Sequence, residues 1–310
     1  MLNIKKLVLE KKMKSYNYQI FDCLFLYIVD TLLFLRYSIK WIFTFKGHKN
    51  LNKLKKFKDM GLGQNAFVIA NGPSLLNVDF NKILKYQKEF DYKIFVLNSY
   101  SISPNSKIII PNYYILSDPS YFLNNNKISQ KRKEELNLDL KYIIRHNIIT
   151  FVPIQFLSEA KDIGLNAYGF NDFEYKWGKS NISPLYSRSY TSMTAYKALA
   201  MSVFLNFDKI YIGGFDNSYF KSISVDKDNN VYYFNSHAYA QKDSAKYNNT
   251  EKGIRGLGDL LKIHSFLFSD LAQFPQNKIV NLDKNGLIDA FTKSHQLDIY
   301  VESYKENDVK

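Results

Sequence analysis

One cysteine, Cys23, is all that the 310 residues contain. A disulfide within the chain is excluded, and a reducing compartment suits the composition. There is no CxxC pair and no HExxH segment, so neither common metal-site spacing applies. A GxGxxG sequence and a Walker A lysine loop are also missing, which removes both usual glycine-rich phosphate cradles. An unbroken apolar run long enough to cross a membrane is lacking too. The most apolar stretch, residues 18–45, is interrupted by Asp22, Asp30, Arg36 and Lys40. Each charge would cost roughly 2.5–3.5 kcal/mol at a bilayer centre. No small-residue cleavage site follows, so the stretch does not read as a secretory signal either.

What is present is a globular composition, 46% hydrophobic and 16% aromatic. The length suits one large domain, or a domain with an appendage. The net charge of +13 is uneven: residues 1–60 carry 13 basic and 4 acidic residues, leaving only +4 for the rest. That distribution argues against a nucleic-acid groove across the main domain and for a local anionic partner such as a membrane surface. On a helix of about 100° per residue, the four charges of the 18–45 stretch share an arc of about 120°. The sequence thus predicts a basic amphipathic helical arm over 1–60, flanked by "KKLVLEKKMK" and "KGHKNLNKLKKFK". Such an arm suits a monotopic anchor on an anionic membrane, here the inner face of the cytoplasmic membrane of a cytoplasmic protein. It equally suits a helix that covers the domain or a second subunit in a homo-oligomer.

From residue 66 short apolar runs end in small or polar residues: 66–71, 93–98, 113–118, 148–153, 209–216 and 278–283. Helix-like segments lie between them, including 79–90 and 192–206. The runs are continuous rather than alternating, which marks strands buried on both faces. The prediction is an α/β, Rossmann-like, mainly parallel sheet with helices on both faces over 61–310, with a lid segment around 217–255. In such a sheet the strand ends share one edge, where open α/β folds bind ligands. Those ends carry Asn71, Asn98, Asp118, Asp216, Asn281 and Asp283. Each alone is an ordinary turn or cap residue; together they offer hydrogen bonds suited to a base and a ribose. In the turn Asn71-Gly72-Pro73-Ser74, Gly72 permits close backbone approach, Pro73 sets the turn, and Ser74 supplies a hydroxyl.

"ANGPSL", "FVLNSY" and "SDPSYF" resemble, in that order, the Campylobacter-type sialyltransferases of glycosyltransferase family 42 and the broader MptE-like group. The likeness continues through 191–216, "NSHAY" (235–239) and 281–291, spanning roughly residues 64–292. It implies a nucleotide-binding Rossmann-like domain with a lid. It implies CMP contacts at Asn71 and Asn98, a hydroxyl contact from Ser192 or Thr194, and a nucleotide-lining segment Gly214, Phe215 and Asp216. It further implies a phosphate-holding tyrosine near Tyr219, a lid-side arginine at Arg188 and a nucleotide contact at Asn285. This chain has Asp118-Pro119-Ser120 where the sialyltransferases have Asn-Pro-Ser, so Asp118 and Ser120 lean toward the broader group. The family's base histidine has no counterpart, since Gln241 stands there.

The expected activity is transfer of a sugar, sialic acid or a related one, from a nucleotide donor to a bacterial surface-glycan acceptor such as lipopolysaccharide, lipooligosaccharide or capsule. His237 is the candidate base, because an imidazole titrates near neutrality; the same residue also fits an ordinary polar loop. Tyr219, Arg188 and the backbone of the 71–74 turn would stabilise the departing phosphate. No metal is obligatory under the sialyltransferase likeness, whereas the diphosphokinase likeness implies Mg²⁺ with ATP and a small alcohol. A nucleotide-sugar-binding protein without catalysis is the third reading.

Overall fold

The computed structural model describes residues 20–123, 128–216, 223–225, 227–228, 231–234, 246–248, 270–283, 286–294 and 297. The chain begins with α1 (Ile20–Tyr37), a π-helical turn (Ser38–Ile42) and α2 (Phe45–Lys55). Strand and helix then alternate: β1 (Asn65–Ile69), α3 (Phe80–Glu89), β2 (Lys93–Leu97), β3 (Tyr113–Ile115), α4 (Gln130–Arg145) and β4 (Ile149–Pro153). The alternation continues through α5 (Leu157–Asp162), β5 (Ala167–Phe170), α6 (Thr194–Phe204) and β6 (Lys209–Gly213). Three short strands follow, β7 (Ser224–Val225), β8 (Val231–Phe234) and β9 (Lys246–Asn248), and then β10 (Ile279–Asn281) and β11 (Thr292–Lys293).

Eight strands form one sheet in the order β11-β10-β6-β1-β2-β3-β4-β5, and every pairing is parallel. The fold is thus α/β and Rossmann-like, as the apolar runs predict. The separate antiparallel sheet β7-β8-β9 falls within the segment expected to form a lid. The chain builds outward from β1 to β5, then returns through α6 to place β6 on the other side of β1. The strand order therefore reverses between β1 and β6, which is where open α/β sheets leave a crevice.

Alternation along each strand sorts the core into two layers. Ala66, Val68, Phe95, Leu97, Tyr113, Ile115 and Ile212 face α6 together with Leu54 and Phe57. Phe67, Ile69, Ile94, Val96, Tyr114 and Leu116 face α3, α4 and α5 through Phe80, Ile83, Leu136, Ile143 and Leu157. Helix α6 lies across β1, β2 and β3. It is buried through seven consecutive residues, Tyr196 to Ser202. Strand β5 is not among the expected runs. Its sequence AYGF carries no β-branched residue, and its pairing with β4 is what makes it a strand.

The arm departs from its expected polarity. Asp30, placed by the helical wheel on a water-facing arc, instead accepts from the Trp177 indole N–H at 2.7 Å. Thr31 meets the Tyr175 hydroxyl at 3.1 Å, and the Tyr37 hydroxyl donates to Gln155 at 3.0 Å. Phe34 stacks on Tyr175 at 4.7 Å between ring centroids, and Tyr37 lies 5.0 Å from Phe173. The domain supplies these polar and aromatic partners, so Asp30 is bonded at the domain's edge, while Arg36 and Lys40 remain exposed. No helix among the described residues is long and apolar enough to cross a membrane. Phe34→Ala should remove the stack and part of the buried area, costing about 2–3 kcal/mol of helix docking. The expected readout is a red-shifted Trp177 emission and faster amide exchange across α1, with β1–β4 protection unchanged.

Candidate functional site

The C-terminal edge of the sheet gathers most of the residues singled out by sequence. After β1 the chain turns at Asn71 and Gly72 into a 3₁₀ turn, Pro73–Asn77, with Pro73 at its first position. After β6 it turns at Gly214, whose φ of +73° is a left-handed value suited to glycine. The two turns are laced together: the Ala70 N–H donates to the Gly213 carbonyl and the Gly72 N–H to the Gly214 carbonyl, both at 2.9 Å. Asp216 then reaches across. Its carboxylate accepts from the Ser74 N–H at 3.0 Å and from the Ser74 hydroxyl at 2.9 Å. A Cβ on Gly72 would lie 1.9 Å from the Asp216 Oδ2 and 2.4 Å from the Gly214 carbonyl. The anion that needs a side-chain-free turn at Gly72 is thus the protein's own carboxylate. Ser74 is committed to it and caps no helix.

From there a line of hydrogen bonds runs along the strand ends. The Asn71 amide donates to the Asn98 carbonyl. The Asn98 amide donates to the Thr194 hydroxyl at 3.1 Å, while its Oδ1 accepts from the Ser117 N–H at 3.1 Å. The Ser117 and Thr194 hydroxyls meet at 2.8 Å. Thr194 is the first residue of α6, so the N-terminus of that buried helix points at the rim beside β2 and β3. Thr44, Asp79 and Ser129 cap α2, α3 and α4 with their side chains, but no described side chain caps α6. Its leading N–H groups are oriented as in known anion sites at helix N-termini. Asp118 caps its own short turn by accepting from the Ser120 N–H at 2.9 Å, and its other oxygen pairs with Arg132 at 3.3 Å. Ser192 is exposed, two residues before α6.

Three expected residues, His237, Tyr219 and Asn285, lie outside the described residues. Two others sit differently from their expected roles. The Phe215 side chain is 3% exposed and stacks on Tyr196, so it belongs to the core and only its backbone borders the rim. Arg188 joins a second cluster, beyond the end of β5. It is 5% exposed, with its guanidinium on Asp172 at 3.1 Å, on Glu174 at 3.0 Å and on the Tyr190 carbonyl. Lys197 of α6 pairs with the same Asp172 at 2.7 Å. A guanidinium so engaged is a structural cation rather than a phosphate clamp.

Two residues escaped the sequence reading. Arg132 of α4 donates to the Ser99 hydroxyl at 3.1 Å and pairs with Asp118, bridging the ends of β2 and β3. Nothing in its sequence context marks it. Asp139 of α4 is fully buried and accepts four hydrogen bonds: from the Ser99 and Ser101 N–H groups at 2.9 and 3.1 Å, and from the Tyr114 and Tyr121 hydroxyls at 2.5 and 2.6 Å. It holds Ser99 in a left-handed conformation, φ 66°, and so sets the direction in which Asn98 leaves β2. Its signal was present: an aspartate between Leu136, Leu140 and Ile143 on the apolar face of a helix. Burial, and then the neighbouring Asp139 carboxylate, pushes both tyrosine hydroxyls well above their ordinary pKa.

Asp216 is held at the reversal point with Asp283, which is 3% exposed. Burial, and secondarily the Asp283 charge, raises the Asp216 pKa from 3.8 to about 6, against the lowering effect of the Ser74 hydrogen bonds. Among the described residues no group of three or more histidine, cysteine or acidic side chains could hold a metal.

No family model matches the sequence, and no curated protein matches it. Among solved structures, the MAf glycosyltransferase from Magnetospirillum magneticum AMB-1 is similar over 83% of this chain, at 12% identity and a TM-score of 0.47. The likeness spans 39% of that protein's own length.

Two outcomes follow from this geometry. Because the folded state raises the Asp216 pKa, its contribution to stability is full below about pH 4 and lost as pH rises through about 6. Asp216→Asn, which cannot ionise, should therefore gain stability relative to the native chain as pH rises from 4 to 7, by at most about 3 kcal/mol, seen as a higher melting temperature. A pH series of thermal melts of the two proteins measures the difference directly. Asp139→Ala should cost roughly 3–5 kcal/mol, since it strands two buried N–H groups and two buried hydroxyls, measured by urea unfolding.

Proposed function

We propose that the chain is a glycosyltransferase that draws a sugar from a nucleotide donor, CMP-linked in preference, and passes it to a glycan acceptor. The observation that carries this reading is the convergence of Asn71, Asn98, Thr194 and the N-terminus of α6, which no described side chain caps, on one rim, beside the reversal of strand order. The resemblance in the sequence motifs supports it. In this reading the asparagine amides and the Ser117 and Thr194 hydroxyls receive the base and ribose. The N–H groups at the start of α6 face the phosphate, where their fixed dipoles favour the charge that grows as the leaving group departs. Asp118 and Arg132 border the acceptor side. His237 takes the acceptor hydroxyl proton, and Tyr219 and Asn285 line the donor. Bond formation is then between the acceptor oxygen and the anomeric carbon, as the bond from that carbon to the donor phosphate breaks.

A second reading, diphosphoryl transfer from ATP to a small alcohol, draws on Asp216 and Asp283. Mg²⁺ takes one or two carboxylates together with substrate phosphates, and these two residues would be its protein ligands; the ion would polarise the phosphoryl group. Both Asp216 oxygens already accept from Ser74, so the donor set is short of a cage of its own.

A thermal-shift panel of CMP, UDP, GDP and ATP, each with and without Mg²⁺, separates the readings. Saturating CMP without metal should stabilise the chain by about 2.7 kcal/mol at a hundredfold excess over Kd. Asn98→Ala should raise the Kd read from that response at least tenfold. A response confined to ATP with Mg²⁺ would favour the second reading, and silence toward all four nucleotides would overturn both. Given turnover, His237→Ala should lower it by ~10²–10⁴ with nucleotide binding intact. Binding without any turnover on CMP-sugars would leave only a nucleotide-sugar-binding protein.

A further inference from the structure

The outer face of α1 and the lysines that follow it are exposed among the described residues. Leu24, Phe25, Ile28, Leu32 and Leu35 expose 53, 41, 48, 61 and 44% of their area. At about 100° per residue these five fall within an arc of about 100°. Ile39, Phe43 and Phe45 continue the line at 65, 63 and 86% exposure. Soluble surfaces scatter single apolar residues, but a continuous line of this length marks a contact with another phase or partner. The opposite side of α1 is already occupied by Phe173, Tyr175 and Trp177, so the exposed line is a second face.

Charge identifies what meets it. The apolar line ends in Phe43-Thr44-Phe45, and α2 then presents Lys46, Lys49 and Lys53, three of its four lysines, all exposed. Lys46 reaches Ser158 of α5, and Lys161 of that helix lies within the field of Lys53, Lys46 and Lys49. Desolvation first, and then these three like charges, lower the Lys161 pKa. None of the four ammonium groups is ion-paired among the described residues. Arg36 and Lys40 stand exposed along the flank of the apolar line, with the Lys40 ammonium 4.8 Å from the Trp41 ring centroid. Long cations there can keep their heads in water while their stems cover apolar surface.

We propose that this face docks on an anionic phospholipid bilayer, with α1 lying in the plane of the interface, its apolar line at the acyl boundary and the four-lysine patch against the headgroups. A second copy of the chain fits less well. A two-fold contact sets each patch against itself, which would bring unpaired ammonium groups face to face, and like charges across an interface are costly. An anionic surface neutralises them instead. Lying on the bilayer, rather than crossing it, agrees with the finding that no helix among the described residues is long and apolar enough to span it. The proposal stands apart from the catalytic reading: a chain that binds vesicles but no nucleotide would retain it.

The test is co-sedimentation of the full chain with phosphatidylcholine vesicles, with and without phosphatidylglycerol. Binding is expected only with the anionic lipid. The triple variant Lys46→Gln, Lys49→Gln, Lys53→Gln should bind about a hundredfold more weakly, at about fivefold per lysine. Leu32→Ser with Ile39→Ser should lose about tenfold per side chain even at low salt. All these positions are exposed, so melting temperatures should stay unchanged. Equal binding to neutral vesicles, or native binding by either variant, would overturn the proposal. So would a concentration-dependent dimer that the serine variant abolishes while vesicles are ignored, which would assign the face to a second copy.

Discussion

The site depends on a carboxylate threaded between two turns. Asp216 reaches from the end of β6 into the turn after β1 and takes both donors of Ser74. That reach is possible only because Gly72 has no side chain and Gly214 accepts a left-handed φ. Hydrogen bonds to a charged group contribute more than neutral ones, about 1.5–3 kcal/mol each. Burial of the charge works against them strongly enough that the carboxyl holds its proton up to about pH 6. The net gain in stability is therefore small at neutral pH, and what the arrangement secures is position. With the 72–74 backbone fixed against β6, the Asn71 side chain is left to turn toward β2, where it meets Asn98. Everything further along the rim, through Ser117 to Thr194, follows from that direction.

Sequence made the sheet legible because parallel strands buried on both faces leave continuous apolar runs. It made the rim legible for a topological reason: in an all-parallel sheet all the C-terminal ends share one edge, so polar strand ends scattered over more than a hundred residues have to meet. Asn71, Asn98, Asp118 and Asp216 illustrate this. What the runs could not disclose was which groups those side chains address. The turn at Gly72 reads from sequence as room for a bound anion, and in the fold that room is taken by Asp216. The Phe215 and Arg188 side chains sit away from their expected places for a related reason. Motif spacing places a residue at the edge of a strand or loop, whereas burial of the side chain depends on neighbours from β5 and α6 that spacing does not include.

Asp139 shows the converse. A lone aspartate on the apolar face of a helix has to be paired when buried, and its partners are backbone N–H groups forty residues away together with two tyrosines. Periodicity reveals the anomaly without revealing the partners. The same limit applies to the arm. A helical wheel treats everything outside the helix as water, so Asp30 reads as solvent-facing. Trp177 and Tyr175 supply that aspartate and Thr31 with partners at the edge of the domain, and apolar residues on the other side of the helix are left in solvent.

The arm and the rim also meet at one buried group of charges. Asp172 takes Arg188 and Lys197, and the Lys197 pKa falls because burial outweighs its partner. Tyr37, the last residue of α1, lies close enough to Asp172 for that charge to join burial in raising the phenol's pKa. Lys197 is one turn from Thr194 on α6. Two charges taken from water recover their hydration only through good mutual geometry, so the cluster tolerates little displacement of any member. The end of α1 and the start of α6 are thereby held to one set of coordinates.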